Sequence, residues 1–309
     1  MDEFIGFNDI LAGFNKRVDK KVLSHSHLIV GPDGIGKSIL ARKFALKILN
    51  KDIDRDYIDI IHYRPKKASF GVDDVREIIE EIMKKPYEGD KKVIIIHEGN
   101  KLTIQAQNAL LKTIEEPPKG VYIIILSDSM ELLLDTIKSR CQIYKLTPLS
   151  KGEIKEYINK LGQFDENMIL SAIAYGEGVP GRAERILNDE KLGLLRNCII
   201  DLLTDIDNRD NNIVLNYEKR LEAFKDNKEE VINILESFIR DIIVFKELQD
   251  DKIIINIDKL KDIDRFSNNK SYKKLNSMLD IIREARINLI NNANYSMAIS
   301  IMLMGLSEG

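Results

Sequence analysis

Ser26-His27-Leu28-Ile29-Val30 runs without a break into Gly31-Pro32-Asp33-Gly34-Ile35-Gly36-Lys37-Ser38. The first five residues are too short and too uniformly apolar for a half-exposed strand, which fits a strand of a parallel sheet covered on both faces. The next eight satisfy the G-x-x-x-x-G-K-[ST] spacing, and the residues after them read as a helix. Strand, glycine loop and helix in that order suit one task. The glycines Gly31, Gly34 and Gly36 let backbone N–H groups, that of Ile35 among them, turn toward a single anion. The helix beginning near Lys37 adds its positive dipole end, and the Lys37 ammonium reaches terminal phosphates. Ser38 supplies a hydroxyl suited to Mg²⁺. The loop is therefore a candidate nucleotide-phosphate site.

Outward from this loop, the first half of the chain alternates strand-like and helix-like segments. β-rich runs recur at Asp59 to Tyr63, Val93 to His97, Val121 to Leu126 and Gln142 to Leu146. Between them Ile104, Leu110, Leu111 and Ile114 have helical spacing, with Thr103 placed as an N-cap and Pro117-Pro118 as a stop. The alternation predicts an α/β domain over residues 1–148. After Thr147-Pro148 the β-branched runs fade, and Ser150 with Glu153 forms a capping box that opens a helix. Helical patterns continue to the end, interrupted at Gly176, Gly178, Pro180 and Gly181. Val231, Ile234, Leu235, Phe238, Ile242 and Phe245, and then Leu275, Met278, Leu279 and Ile282, each give a helix one apolar face. The fold class expected is α/β followed by all-α.

The 309 residues suit roughly two or three domains. With 47 Lys+Arg against 50 Asp+Glu, the chain has no global field to hold nucleic acid or an anionic membrane unaided. The basic pairs in Arg64-Pro65-Lys66-Lys67 and Lys91-Lys92 read as solvated loops. Two distant cysteines, Cys141 and Cys198, exclude a four-thiolate zinc site, and His25 and His27 lack ligand partners, so no metal site is assigned. The N-terminal MDEFIGFNDI shows no signal-peptide pattern and no segment is apolar enough to span a bilayer, so the cytoplasm is the expected compartment. The strand Val93-Ile94-Ile95-Ile96 ends in His97-Glu98, where phosphoryl-transfer proteins with this loop carry an Asp for the metal. A neutral imidazole brings no charge to offset Mg²⁺. Glu98 is left to orient a water, so hydrolysis by the chain alone is not expected.

Several stretches in order resemble the DNA polymerase III clamp-loader subunits of the AAA+ ATPases, the delta-prime subunits most closely. They are His25 to Val30 with the phosphate loop, the KVIII strand, Gln105 to Pro118 (QAQNALLKTIEEPP), Leu132 to Leu146 (LLLDTIKSRCQIYKL), Gly178 to Leu187 (GVPGRAERIL) and Asn292-Ala293-Asn294. The resemblance implies an AAA+ P-loop parallel-sheet domain at 1–148, a small helical lid at 149–206 and a C-terminal helical collar for oligomerisation at 207–309. It implies that Arg140, within Ser139-Arg140-Cys141, is an arginine finger offered in trans to ATP in a neighbouring subunit, and that Arg182 senses nucleotide from the lid. Ser127 or Asp128 falls in the first sensor region, and the sequence does not choose between them. A planar guanidinium suits charge spreading over transferring phosphate oxygens.

The tau/gamma ATPases of this family would carry an Asp-Glu pair after KVIII and a four-cysteine zinc module. This chain has His97-Glu98 and no cysteine between residues 38 and 97. The resemblance thus implies a largely structural delta-prime-type subunit of the DNA polymerase III holoenzyme, with ATP/Mg at its own loop left open and no zinc. Its partners would be delta and tau/gamma subunits and, through the complex, the sliding clamp and primer-template DNA. The alternatives are a tau/gamma-type ATPase that hydrolyses ATP itself, and a DNA-binding module, which the balanced charge and absent tryptophan disfavour.

Overall fold

A computed structural model describes residues 5–210 and 212–308, so the outer ends of the expected first and last domains lie outside the described residues. The backbone divides into two compact units. The first runs to Tyr157 and includes Gly178–Gly181; the second comprises Ile158–Glu177 and the chain from Arg182 onward.

The first unit is built on strands β1 (Ser26–Val30), β2 (Ile60–Tyr63), β3 (Lys92–Ile96), β4 (Val121–Ser127) and β5 (Gln142–Lys145). They form one parallel sheet in the order β2-β3-β4-β1-β5. Parallel neighbours need crossover connections, and the intervening segments supply helices. These are α2 (Lys37–Ile48), α3 (Val72–Met83), α4 (Ile104–Glu115) and α5 (Asp135–Lys138), while α1 (Asn8–Asp19) precedes β1 and α6 (Lys151–Leu161) follows β5, its residues from Ile158 onward belonging to the second unit. β1 and β3 are buried along their whole length, as their unbroken apolar runs required. Alternate residues serve opposite faces. Leu28, Val30, Ile94, Ile96, Ile123 and Ile125 share a core with Val75, Ile78, Leu110 and Ile114 of α3 and α4. On α1 and α2, Phe14 stacks on Phe44 at 3.6 Å, and His27 meets the Phe14 ring edge-on at 5.5 Å.

The expected start and stop signals operate. Thr103 Oγ1 accepts the Ala106 N–H at 3.2 Å, and Ser150 and Glu153 close a capping box, with Glu153 Oε2 accepting the Ser150 N–H at 2.8 Å and Ser150 Oγ accepting the Glu153 N–H at 3.3 Å. Lys92 corrects the expectation of a solvated Lys91-Lys92 loop. Its side chain is fully buried at the start of β3, where Nζ lies 2.9 Å from Glu81 Oε1 and donates to the Glu81 and Lys84 carbonyls. The strand begins one residue earlier than its apolar run, and α3 supplies acceptors for a charge that the sheet carries inward.

The second unit is helical: α7 (Glu166–Gly176), α8 (Pro180–Asn188), α9 (Glu190–Asp207), α10 (Ile213–Glu222), α11 (Lys228–Leu248), α12 (Leu260–Asn269), α13 (Tyr272–Ile290) and α14 (Tyr295–Glu308), with residues 180–181 of α8 belonging to the first unit. The periodic residues Val231, Ile234, Leu235, Phe238 and Ile242 of α11 and Leu275, Met278 and Ile282 of α13 are buried. Arg196 crosses this core to grip Asp258 with both guanidinium nitrogens, Nη1 to Oδ2 at 3.0 Å and Nη2 to Oδ1 at 2.6 Å. Against the opposing effect of burial, the hydrogen bonds and charge of Arg196, and after them the Ser171 hydroxyl, hold the Asp258 carboxyl below its ordinary pKa. Among the described residues no helix is long and apolar enough to cross a membrane.

Candidate functional site

The loop from Gly31 to Ser38 sits at the C-terminal end of β1, inside the sheet rather than at its edge, because β4 and β5 flank that strand. That end of an open parallel sheet is where such folds place ligands. Gly31 is confined there: a Cβ on it would come within 2.7 Å of the Leu146 carbonyl oxygen. Gly36, the residue before α2, has φ of 108°, a backbone conformation that a side chain would strain. Ile35 is buried and its N–H donates to the Pro32 carbonyl at 3.2 Å, which fixes the loop's curve. Ser38 is exposed in the first turn of α2.

Lys37 is only 9% exposed. Its Nζ donates to the Gly31 carbonyl at 2.8 Å and the Pro32 carbonyl at 3.0 Å, and lies 2.6 Å from Asp128 Oδ1. Of Ser127 and Asp128, only the second meets the loop lysine. Ser127 Oγ turns away to donate to the Ser129 carbonyl at 2.7 Å, whereas Asp128 reaches the loop lysine. The Asp128 N–H is held by Asn100 Oδ1 at 3.2 Å. The structure thus gathers Gly31, Gly34, Ile35, Gly36, Lys37 and Ser38 with Asp128. At Gly34 the carbonyl accepts the Gly181 N–H at 3.0 Å, so the first residues of α8 pack on the loop.

His97 follows β3 and is nearly buried, and its Nε2 lies 2.9 Å from Nδ1 of His62 on β2. Desolvation, aided by the Arg64 charge and by His62, lowers the His97 imidazole to about 4, and desolvation with the Arg42 and Arg64 charges lowers His62 as well. Two neutral rings sharing one hydrogen bond occupy the position where a metal carboxylate would stand. The phosphate cradle therefore fits a nucleotide, while the end of β3 does not fit a carboxylate-held Mg²⁺. Glu98 adopts a left-handed conformation and pairs with Lys101. No cluster of three or more His, Cys, Asp or Glu able to hold a metal occurs among the described residues.

Arg140 lies one residue past the C-cap of α5 and two before β5, the edge strand beside β1. Its Nε donates to Glu115 Oε2 at 3.0 Å and its Nη1 to the Thr136 carbonyl at 3.1 Å, with the residue exposed. Gln107 positions this segment from α4. It donates to the Leu102 and Leu132 carbonyls at 3.1 and 3.0 Å and accepts the Leu134 N–H at 2.8 Å, which pins the chain entering α5. Cys141 beside the arginine packs into the core, and burial pushes its thiol up to about 12. Arg182 belongs to the second unit, where Nη1 is 3.5 Å from Glu177 Oε2. Sequence reasoning missed His62, Gln107 and Glu115. His62 alone left a signal, a polar residue inside an otherwise apolar strand.

Two family models match, one described as DNA polymerase III, delta subunit, over residues 7–150, and one as its C terminal over residues 197–308. The delta-prime subunit of Bacillus subtilis is 23% identical over 310 residues, spanning 94% of this chain and 93% of that protein. The delta-prime subunit of Escherichia coli is 33% identical over 117 residues, 38% of this chain and 35% of that protein. A DNA polymerase III gamma subunit of Buchnera aphidicola is 28% identical over 200 residues, 57% and 54% of the two chains. The chain spans about half or less of the length of most of the curated relatives it matches at the highest significance, from 54% down to 25%. Among solved structures, a gamma subunit-related protein of Thermotoga maritima superposes with a TM-score of 0.58 at 16% identity over 96% of this chain and 98% of that one. The RuvB Holliday junction branch migration motor of the same organism gives 0.50 at 15% identity over 99% and 88%. At these identities the superpositions speak to the fold, which is that of AAA+ proteins. Delta-subunit models match both ends of the chain and a delta-prime relative aligns along nearly all of it, which supports a clamp-loader protein similar to the delta-prime subunits of DNA polymerase III.

Proposed function

We propose that this chain is a largely structural clamp-loader subunit that completes a neighbour's ATP site rather than running its own. It would join delta and tau/gamma subunits in a cytoplasmic assembly that opens the sliding clamp and places it on primer-template DNA. The observation that carries this reading is the His62–His97 pair, which replaces the metal carboxylate with two neutral rings. The exposed Arg140, steadied by Glu115 and the Thr136 carbonyl, is the group offered in trans. In this reading residues 1–148 form the nucleotide-binding domain, 149–206 a lid with Arg182 as its sensor, and 207–309 the collar. ATP or ADP would sit on the Gly31–Ser38 cradle, with Ser38 exposed for a metal and Glu98 the remaining acid.

The intact cradle favours a second reading, a tau/gamma-type ATPase with turnover of its own. A reconstituted loader separates the two. Removal of a trans finger costs about 10³-fold or more in stimulated ATPase rate. Arg140→Ala is expected to show such a loss while Lys37→Ala leaves most of the rate intact. Brisk hydrolysis by the isolated chain, abolished in Lys37→Ala, would establish the second reading instead.

A further inference from the structure

We infer that Asp128 sets the nucleotide affinity of the Gly31–Ser38 loop by occupying, on Lys37, the place a phosphate oxygen would take. The inference rests on the proposed nucleotide-binding role of that loop and adds to it a residue that opposes occupancy.

An ammonium has three protons to donate. Those of Lys37 have three acceptors within the first unit: the Gly31 carbonyl, the Pro32 carbonyl and Asp128 Oδ1, the last at 2.6 Å. The two carbonyls belong to the loop and are neutral. Asp128 is the charged member of the set, and a carboxylate satisfies an ammonium in the way a phosphate oxygen does. The pairing is placed rather than incidental. β4 lies beside β1 in the sheet, so the residue after Ser127 is carried to the loop by strand register, with Val30 opposite Ser127. The Asp128 backbone is fixed by Asn100 Oδ1 at 3.2 Å. The Ser127 hydroxyl, which could have faced the loop as a neutral group, is committed to the Ser129 carbonyl.

Two consequences follow for an incoming polyphosphate. Its oxygens must displace the Asp128 carboxylate from Lys37, and they must then lie close to that carboxylate, which repels them. The Asp128 side chain is 41% exposed and so can swing into water, whereas Lys37 is buried and cannot follow it. The loop is thereby built to bind nucleotide weakly even though its glycines and helix are in order. The end of β3, with His97 bonded to His62, offers no carboxylate-held metal to offset the repulsion.

The test is calorimetric titration of the purified full chain with ADP and with ATPγS, in Mg²⁺ buffer, for wild type, Asp128→Asn, Asp128→Ser and Lys37→Ala. Removing one carboxylate beside the phosphates is expected to tighten binding about tenfold in both Asp128 variants, while Lys37→Ala abolishes it. Asp128→Ser guards against a new contact made by the amide. If both Asp128 variants bind as wild type does, or more weakly, while Lys37→Ala still abolishes binding, the inference fails and the loop reading stands. If wild type, both Asp128 variants and Lys37→Ala all bind alike or not at all, the loop reading fails and the inference with it.

Discussion

His27 makes the first unit acid-sensitive in a way that can be worked out from its surroundings. The residue is the second of β1, fully buried, with its ring among Phe14, Phe44 and Tyr144 at centroid distances of 5.5, 6.4 and 5.8 Å. Its Nδ1 is 3.4 Å from the Tyr144 hydroxyl, and its Nε2 is buried without a hydrogen-bond partner. Desolvation lowers the imidazole from 6.5 to about 4. The folded state thus binds the proton less readily than the unfolded chain, so stability is full above pH 6.5 and falls as the pH drops toward 4. At about 1.4 kcal/mol per pH unit the whole interval is worth ~3 kcal/mol, of which ~2 kcal/mol is lost by pH 5. Because the chain has two units, a local reading is needed. Hydrogen exchange of peptides covering residues 26–30, corrected for intrinsic rates, should report an opening free energy lower at pH 5 than at pH 7. His27→Phe, which fills the same aromatic pocket without a titratable group, should remove ~2 kcal/mol of that drop. The His62–His97 pair adds a drop of the same sign in both proteins. An equal drop in wild type and His27→Phe would refute the reasoning.

Two further substitutions probe how the site is held in place. Glu81→Ala strands the buried Lys92 ammonium with two carbonyls and should destabilise the first unit by ~3 kcal/mol, whereas adding Lys92→Met to it should recover most of the loss in denaturant unfolding. A double variant no more stable than Glu81→Ala would show that the charge is not the cause. Gln107→Ala unpairs the Leu134 N–H and the Leu102 and Leu132 carbonyls, at a cost of about 2 kcal/mol or more. Because it loosens the approach to α5, it should also lower the reconstituted loader's stimulated rate in the same direction as Arg140→Ala; a stability loss with an unchanged rate would separate Gln107 from finger placement.

What the sequence made legible follows a physical division. β1 and β3 could be read because an unbroken apolar run leaves few alternatives to a strand covered on both faces. The loop could be read because Gly31 and Gly36 meet backbone demands that no other residue meets, Gly31 against the Leu146 carbonyl and Gly36 at positive φ. Thr103 and the Ser150–Glu153 box act within four residues of themselves, so chain order contains their partners. What was hidden depends on sheet order. His97 meets His62 because β2 lies beside β3, and Asp128 meets Lys37 because β4 lies beside β1. Neither adjacency can be read from residues 35 and 91 positions apart. Lys92 was misread for the same reason. In isolation a Lys-Lys pair beside a glycine turn belongs in water, and only the packing of α3 against the start of β3 provides Glu81 and two carbonyls to receive it. The chemistry of this site therefore lies less in the loop motif than in which strand ends its neighbours bring to it.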